Sequence, residues 1–261
     1  MKLFQPLFLL LLLSFSLISC KKDDEEKQET CRVSKIDFYD AGSIDFTASY
    51  IYTDNRLTRV EMPGILNYSF EYSSERITKR NFFQPGSTTA SFSDQIFYNA
   101  DGTISKIDRF VITGPSQTKV MSFEFTYTSG KINKFVISEI NSSNTLAIVE
   151  EHTFIYTGNN ITTLNSKYFD NGPTTNVTLT YAYDTNTNHL TKLNKQSILV
   201  DPLFIDPDAS LIPFAFSTNN VKEVKSPGRT IPVEYNLDSR GNVSNYSFAG
   251  EKVAGFTYDC Q

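Results

Sequence analysis

The 261-residue chain has no tryptophan, only two histidines and only three cysteines. These scarcities narrow its chemistry first. His152 stands at strand spacing with Phe154 and Tyr156, as a packed or rim residue does, and His189 falls in the turn-like "DTNTNH", where water reaches it. There is no H-E-x-x-H, no G-x-S-x-G and no phosphate-binding loop. A serine or cysteine nucleophile needs a base beside it, and nothing in the pattern places one. Carboxylates are plentiful, so a glycosidase-like pair stays open, although no residue is marked for it. A basic stripe is missing too, and the net charge of −5 speaks against nucleic acid as a partner. No window sustains an apolar period of 3.6, which excludes a helical fold.

What is present begins at the amino terminus. Lys2 precedes an almost wholly apolar run from Leu3 to Ile18, with leucine at positions 9 to 13. That run is too short for a spanning helix and fits a secretory leader over residues 1–19. Leu17-Ile18-Ser19-Cys20 resembles the bacterial lipobox, which implies cleavage before Cys20 and lipidation of that residue. Acyl chains at about 0.8 kcal/mol per buried CH₂ would hold the chain on a membrane without crossing it. Residues 20–30 continue as "CKKDDEEKQET", too polar to fold, and read as a flexible acidic tether. Lys followed by acidic residues after the lipid cysteine resembles the surface-export signal of Bacteroidetes lipoproteins, which implies an outer-membrane location facing the exterior.

Residues 31–261 suffice for one domain, and a repeat runs through it. The first half of each unit is an alternating run ending in an aromatic: "YIY" at 50, "FEY" at 70, "IFY" at 96, "FEFTY" at 123, "FIY" at 154, "YAY" at 181, "FAF" at 214, "VEY" at 233 and "FTY" at 256. A polar turn such as "TDNR", "SSER" or "TSGK" follows. Then comes an apolar-x-x-apolar strand: Leu57/Val60, Ile104/Ile107, Ile132/Phe135, Ile161/Leu164, Leu190/Leu193, Val221/Val224 and Val243/Tyr246, with Arg80 breaking the rule after Ile77. A spacing of three fits no flat strand face and predicts a β-bulge, or burial that switches sides as the sheet coils. Two reversals per unit predict an all-β, antiparallel up-and-down meander of about 16–18 strands, rolled or closed into a barrel.

The "Y…G-x-[IL]-x-[KR]-[IL]" flavour resembles YD/RHS-type repeats. Together with the lipoprotein start, the chain resembles a family of Bacteroidetes surface lipoproteins with a porin-like domain of unknown function. That resemblance implies architecture and address, and no activity. The domain opens on a second-half strand, "VSKI" at 33, and closes on a first-half strand, "GFTY" at 255. Joined, they make a ninth unit in which Asp259, Cys260, Cys31 and Arg32 stand where other units have their turn. A Cys31–Cys260 disulfide would replace that turn, stabilising by at most about 5 kcal/mol; two free thiols near frayed ends are the competing reading. Arg59, Lys106, Lys134, Lys192 and Lys222 in the second-half strands, and the lack of a terminal aromatic, favour a barrel outside the bilayer.

The stretch 197–214, "SILVDPLFIDPDASLIPF", breaks the rhythm. It reads as a rim loop or plug in which Asp201, Asp206 and Asp208 meet a ligand or Ca²⁺, or as a packed connection whose aspartates begin turns. The tyrosines at strand ends read as core before they read as a sugar platform. No cofactor is expected. A non-catalytic binding or scaffold module for glycan or protein leads; an envelope hydrolase and a purely structural shell are the alternatives.

Overall fold

The computed structural model describes residues 31–169, 173–188, 190 and 209–260. The chain divides into two units, one spanning Arg32–Asp259 and a second whose described members are Cys31 and Cys260. The strands begin with β1 (Cys31–Asp40), β2 (Ser43–Thr53), β3 (Arg56–Met62), β4 (Leu66–Ser73), β5 (Arg76–Phe83) and β6 (Phe92–Tyr98). They continue as β7 (Ile104–Thr113), β8 (Ser116–Thr128), β9 (Lys131–Ile140), β10 (Leu146–Thr157), β11 (Asn160–Tyr168) and β12 (Thr175–Thr187). A short helix, α1 (Ile212–Phe216), precedes β13 (Asn219–Ser226), β14 (Arg229–Leu237), β15 (Val243–Phe248) and β16 (Glu251–Cys260). Each strand pairs with its neighbours in sequence, β1 pairs with β16, and the sheet closes as a sixteen-stranded barrel.

The spacing of three is resolved by a bulge in every unit that carries it. Ile51 pairs with Arg59 and Tyr52 with Leu57, so Thr58 has no partner across the ladder. The same slip follows Glu71, Phe97, Thr126, Ile155, Ala182 and Asn236. One extra residue returns Leu57 and Val60 to the same inner face. The bulged residue's hydroxyl bonds the partner strand's carbonyl: Thr58 Oγ1 to Ile51 O at 3.2 Å, Thr78 Oγ1 to Glu71 O at 3.3 Å and Ser244 Oγ to Asn236 O at 3.1 Å. Between β2 and β3, Asp54 and Asn55 take φ of +49° and +61°, the left-handed pair of a two-residue hairpin turn.

The disulfide Cys31–Cys260 is formed. The seam it closes copies an ordinary unit. Ser34 Oγ donates to Thr257 O at 3.2 Å, as Thr58 does to Ile51, and Arg32 Nη2 pairs with Asp259 Oδ2 at 2.9 Å.

One hydrophobic cluster draws buried side chains from every strand but β15, which adds the partly buried Tyr246 and Phe248. The inside of the barrel is therefore a core, in the way of small barrels filled by their own side chains.

Two expectations need correction. "FAF" at 214–216 is α1 and not a strand. Pro213 stands in the first turn of α1, where its fixed φ suits a helix, and Ile212 and Ala215, three apart, are both fully buried. Leu190 lies outside every strand and Leu193 outside the described residues, so β12 pairs directly with β13 across the insertion. Two expected units thus collapse into one, and the ring has eight units rather than nine. Cys20, His189, Asp201, Asp206 and Asp208 lie outside the described residues.

Candidate functional site

The aromatic that ends a first-half strand is committed to structure in five of the eight units. Tyr52, Tyr72, Tyr98 and Tyr258 donate their hydroxyls to the backbone oxygens of Val33, Leu57, Ile77 and Val243, at 2.7 to 2.9 Å, and Tyr183 does the same to Ile161. Each acceptor opens the second-half strand of the preceding unit, so the hydroxyl satisfies a carbonyl beside the bulge. Burial holds Tyr98, Tyr183 and Tyr258 in the neutral form and pushes them up to about 12. A cation lies over three of these rings, Arg32 over Tyr52 at 4.5 Å, Arg56 over Tyr72 at 5.6 Å and Arg76 over Tyr98 at 5.2 Å, and Lys131 lies over Tyr156, the corresponding ring of another unit, at 5.2 Å. A rim stitched this way has little aromatic face left for a sugar.

The inner wall carries two polar clusters. Arg80, the residue that broke the apolar rule, is fully buried with Asp94: Nη2 donates to Oδ2 at 2.6 Å and Nε at 3.1 Å. Arg109 Nε donates to the other carboxylate oxygen at 2.8 Å. The three are cross-strand partners on β5, β6 and β7, and both guanidinium groups lie on the Phe82 ring. Further round, His152 Nδ1 lies 2.9 Å from Ser166 Oγ and Nε2 3.0 Å from Glu150 Oε2. The residue types match a Ser–His–acid line. The setting does not: His152 and Ser166 are buried, Phe135 stacks on the imidazole at 5.4 Å, and no described concavity reaches the serine. Both ring nitrogens are held, so the cluster fits a satisfied core histidine, as its strand spacing predicts.

The described end of the insertion packs on the inner wall. Ala209 and Ile212 join the core, and the Phe214 ring meets Phe248 at 5.9 Å and Tyr181 at 6.4 Å. Asn188 Nδ2 ties the backbone oxygens of Phe214 and Ser217, and Asn160 Oδ1 accepts from the amides of Thr218 and Asn219. Where this end meets the turns, a cavity of about 210 Å³ lies among Tyr127, Lys131, Tyr156, Asn159 and Phe216.

The largest described concavity, about 460 Å³, opens where β9 turns into β10 beside the end of β11. Its floor is Ile140, Ala147, Ile148, Val149 and Phe169, and its polar edge is Glu139, Asn141 and Ser142. A bulge frames it: Ile148 pairs with Ser138 and Glu150 with Ile137, which leaves Val149 out of register, and Val149 O accepts from the Phe169 amide at 2.8 Å. Asn141 Oδ1 locks the turn by accepting from Ser143 N, Thr145 N and Thr145 Oγ1. Ile148 is 50% exposed and Phe169 38%. The exposed Glu139 carboxylate makes no ion pair or hydrogen bond among the described contacts. An open apolar ring beside an uncommitted acceptor on a rigid frame is able to stack one face of a ligand and bind its hydroxyls.

These features define a closed antiparallel barrel with a core-filled inside and concavities at its rims. That fold is shared with a porin-like protein from Bacteroides uniformis, at 14% identity over 87% of this chain and 96% of the other, with a TM-score of 0.53. A porin-like protein from Bacteroides vulgatus is 11% identical over 87% of this chain and 98% of the other, with a TM-score of 0.49. A chain of the TcdB2-TccC3-Cdc42 complex aligns with 88% of this chain but 14% of its own length, at 14% identity and a TM-score of 0.39. At 14% identity the likeness to the Bacteroides uniformis protein is one of fold. No protein-family model and no curated protein sequence matches the chain.

Proposed function

We propose that the chain is a non-catalytic lipoprotein of the cell envelope, anchored through Cys20, whose barrel presents a small-ligand site at the β9–β10 rim. The observation that carries the reading is the concavity of about 460 Å³ with Phe169 and Ile148 as its exposed apolar floor and Glu139 as its uncommitted carboxylate. A glycan is the ligand class that chemistry suits: a sugar's apolar face stacks on Phe169, and its hydroxyls donate to Glu139. The volume falls within the range of small-molecule sites.

The outer wall supports a barrel held beside the bilayer. Ion pairs Lys35–Asp37, Arg59–Glu61, Lys79–Glu71 and Lys134–Glu151 occupy outward strand positions, where an embedded barrel carries an apolar band. A glycan array probed with the mature chain tests the site. Binding weakened by Phe169→Ala and Glu139→Gln supports it, and uniformly blank binding removes the sugar reading. The anchor is tested separately: Cys20→Ser should release the protein from the membrane fraction and abolish incorporation of a labelled fatty acid.

A further inference from the structure

Fifteen of the sixteen strand pairings in the ring join strands that follow one another in the chain. The β1–β16 seam does not. At one end it is linked by Cys31–Cys260, a sequence separation of 229. At the other, each strand turns away from the seam, β1 through Ala41-Gly42 into β2 and β16 back through Ala249-Gly250 into β15. The polar side-chain contacts that cross the seam are partly open to water, although Ile36 and Ala254 on the two strands are buried in the core. Arg32 and Asp259 are 28% and 47% exposed, the Ser34–Thr257 bond is exposed, and Lys252 Nζ donates to Tyr39 Oη at 2.8 Å in a partly buried bond. Contacts of this kind contribute little once screened by solvent. The two cysteines are only half-buried, so a small thiol can reach them.

We propose that Cys31–Cys260 is a thiol-controlled latch, and that its reduction unzips β1 from β16 while the other fifteen pairings stay in place. The co-reactant is a dithiol. One of its thiolates attacks a cysteine sulfur, the Cys31–Cys260 bond breaks, and the displaced cysteine leaves as a thiolate that takes up a proton. The second thiol of the reagent resolves the mixed disulfide. The reagent ends as a disulfide and the protein as two thiols, with two electrons and two protons transferred. The opened seam presents two unpaired strand edges, which closure had removed.

The test compares backbone hydrogen exchange in the full chain before and after addition of a dithiol, with free thiols titrated alongside. Amides of residues 32–40 and 251–259 should exchange about ten-fold or more faster in the reduced protein, those of β8 and β9 should hold their rates, and reoxidation should restore the original pattern. Unchanged rates along the seam in fully reduced protein would overturn the proposal, as would equal loss of protection in every strand. The double variant Cys31→Ser/Cys260→Ser should show the opened pattern without reagent and ignore the dithiol. A double variant that does not fold counts against a local latch.

Discussion

Two stretches of the same wall are fastened by opposite means. At β5–β6–β7 the chain is continuous, and the lock is a buried Arg80–Asp94–Arg109 cluster pressed on Phe82. At β16–β1 the chain is not continuous, and the lock is a covalent bond with the half-exposed Arg32–Asp259 ion pair beside it. The bulge hydroxyl and the cation over the next tyrosine are common to the seam and to ordinary units. What the seam lacks is proximity of its two strands along the chain, and the disulfide supplies it in place of a turn such as Asp54-Asn55.

The contrast can be broken by mutation. Cys31→Ser/Cys260→Ser should have the largest effect on the seam, lowering stability by up to about 5 kcal/mol in a urea titration. Asp94→Ala should cost about 3–5 kcal/mol in the same assay with the disulfide intact, because the buried Arg80 and the partly buried Arg109 lose their shared carboxylate. A loss below about 1 kcal/mol would remove the wall cluster from the comparison. Tyr72→Phe removes one hydroxyl-to-carbonyl bond and should cost about 0.5–1.5 kcal/mol, a loss that the seam's own Tyr258→Phe should match if the eight units are equivalent.

A pH series sharpens the same point. Tyr98, Tyr183, Tyr246 and Tyr258 are pushed up to about 12 by burial, while an unfolded tyrosine ionises near 10. The stability they contribute is complete below pH 10 and is lost as pH rises from 10 towards 12, because only the unfolded chain releases those protons. Urea midpoints should therefore be flat across these tyrosines from pH 8 to 9.5 and fall above pH 10. A midpoint that rose above pH 10 would contradict the buried rim.

Much of the architecture was legible because the repeat obeys local rules. The pair Leu57/Val60, three apart in a strand, can share a face only through an inserted residue, and the bulge at Thr58 is that residue. The unpaired half-units at the two ends likewise pointed to Cys31 and Cys260. The failure at "FAF" has an equally local cause: alternation of Phe, Ala and Phe fits a strand, but Pro213 in the first turn and burial of Ile212 and Ala215 make a helix. Arg80 was visible as an exception, yet its partners were not, because nothing local singles out Asp94 and Arg109 until the register is known. The rim concavity was hidden for a different reason. It gathers the end of β9, a bulge in β10 and Phe169 after β11, and no local pattern in the sequence joins these segments.

The most direct test is a circular permutant. The chain would be joined from Asp259 to Arg32 through Asp-Asn in place of Cys260 and Cys31, and reopened between Asp54 and Asn55. A ring of eight equivalent hairpins predicts the far-UV circular dichroism of the reduced natural chain, which also has one unfastened seam, and one cooperative urea transition whose midpoint ignores reductant. A permutant that collapses without β-structure, or that melts in separate steps, would contradict it.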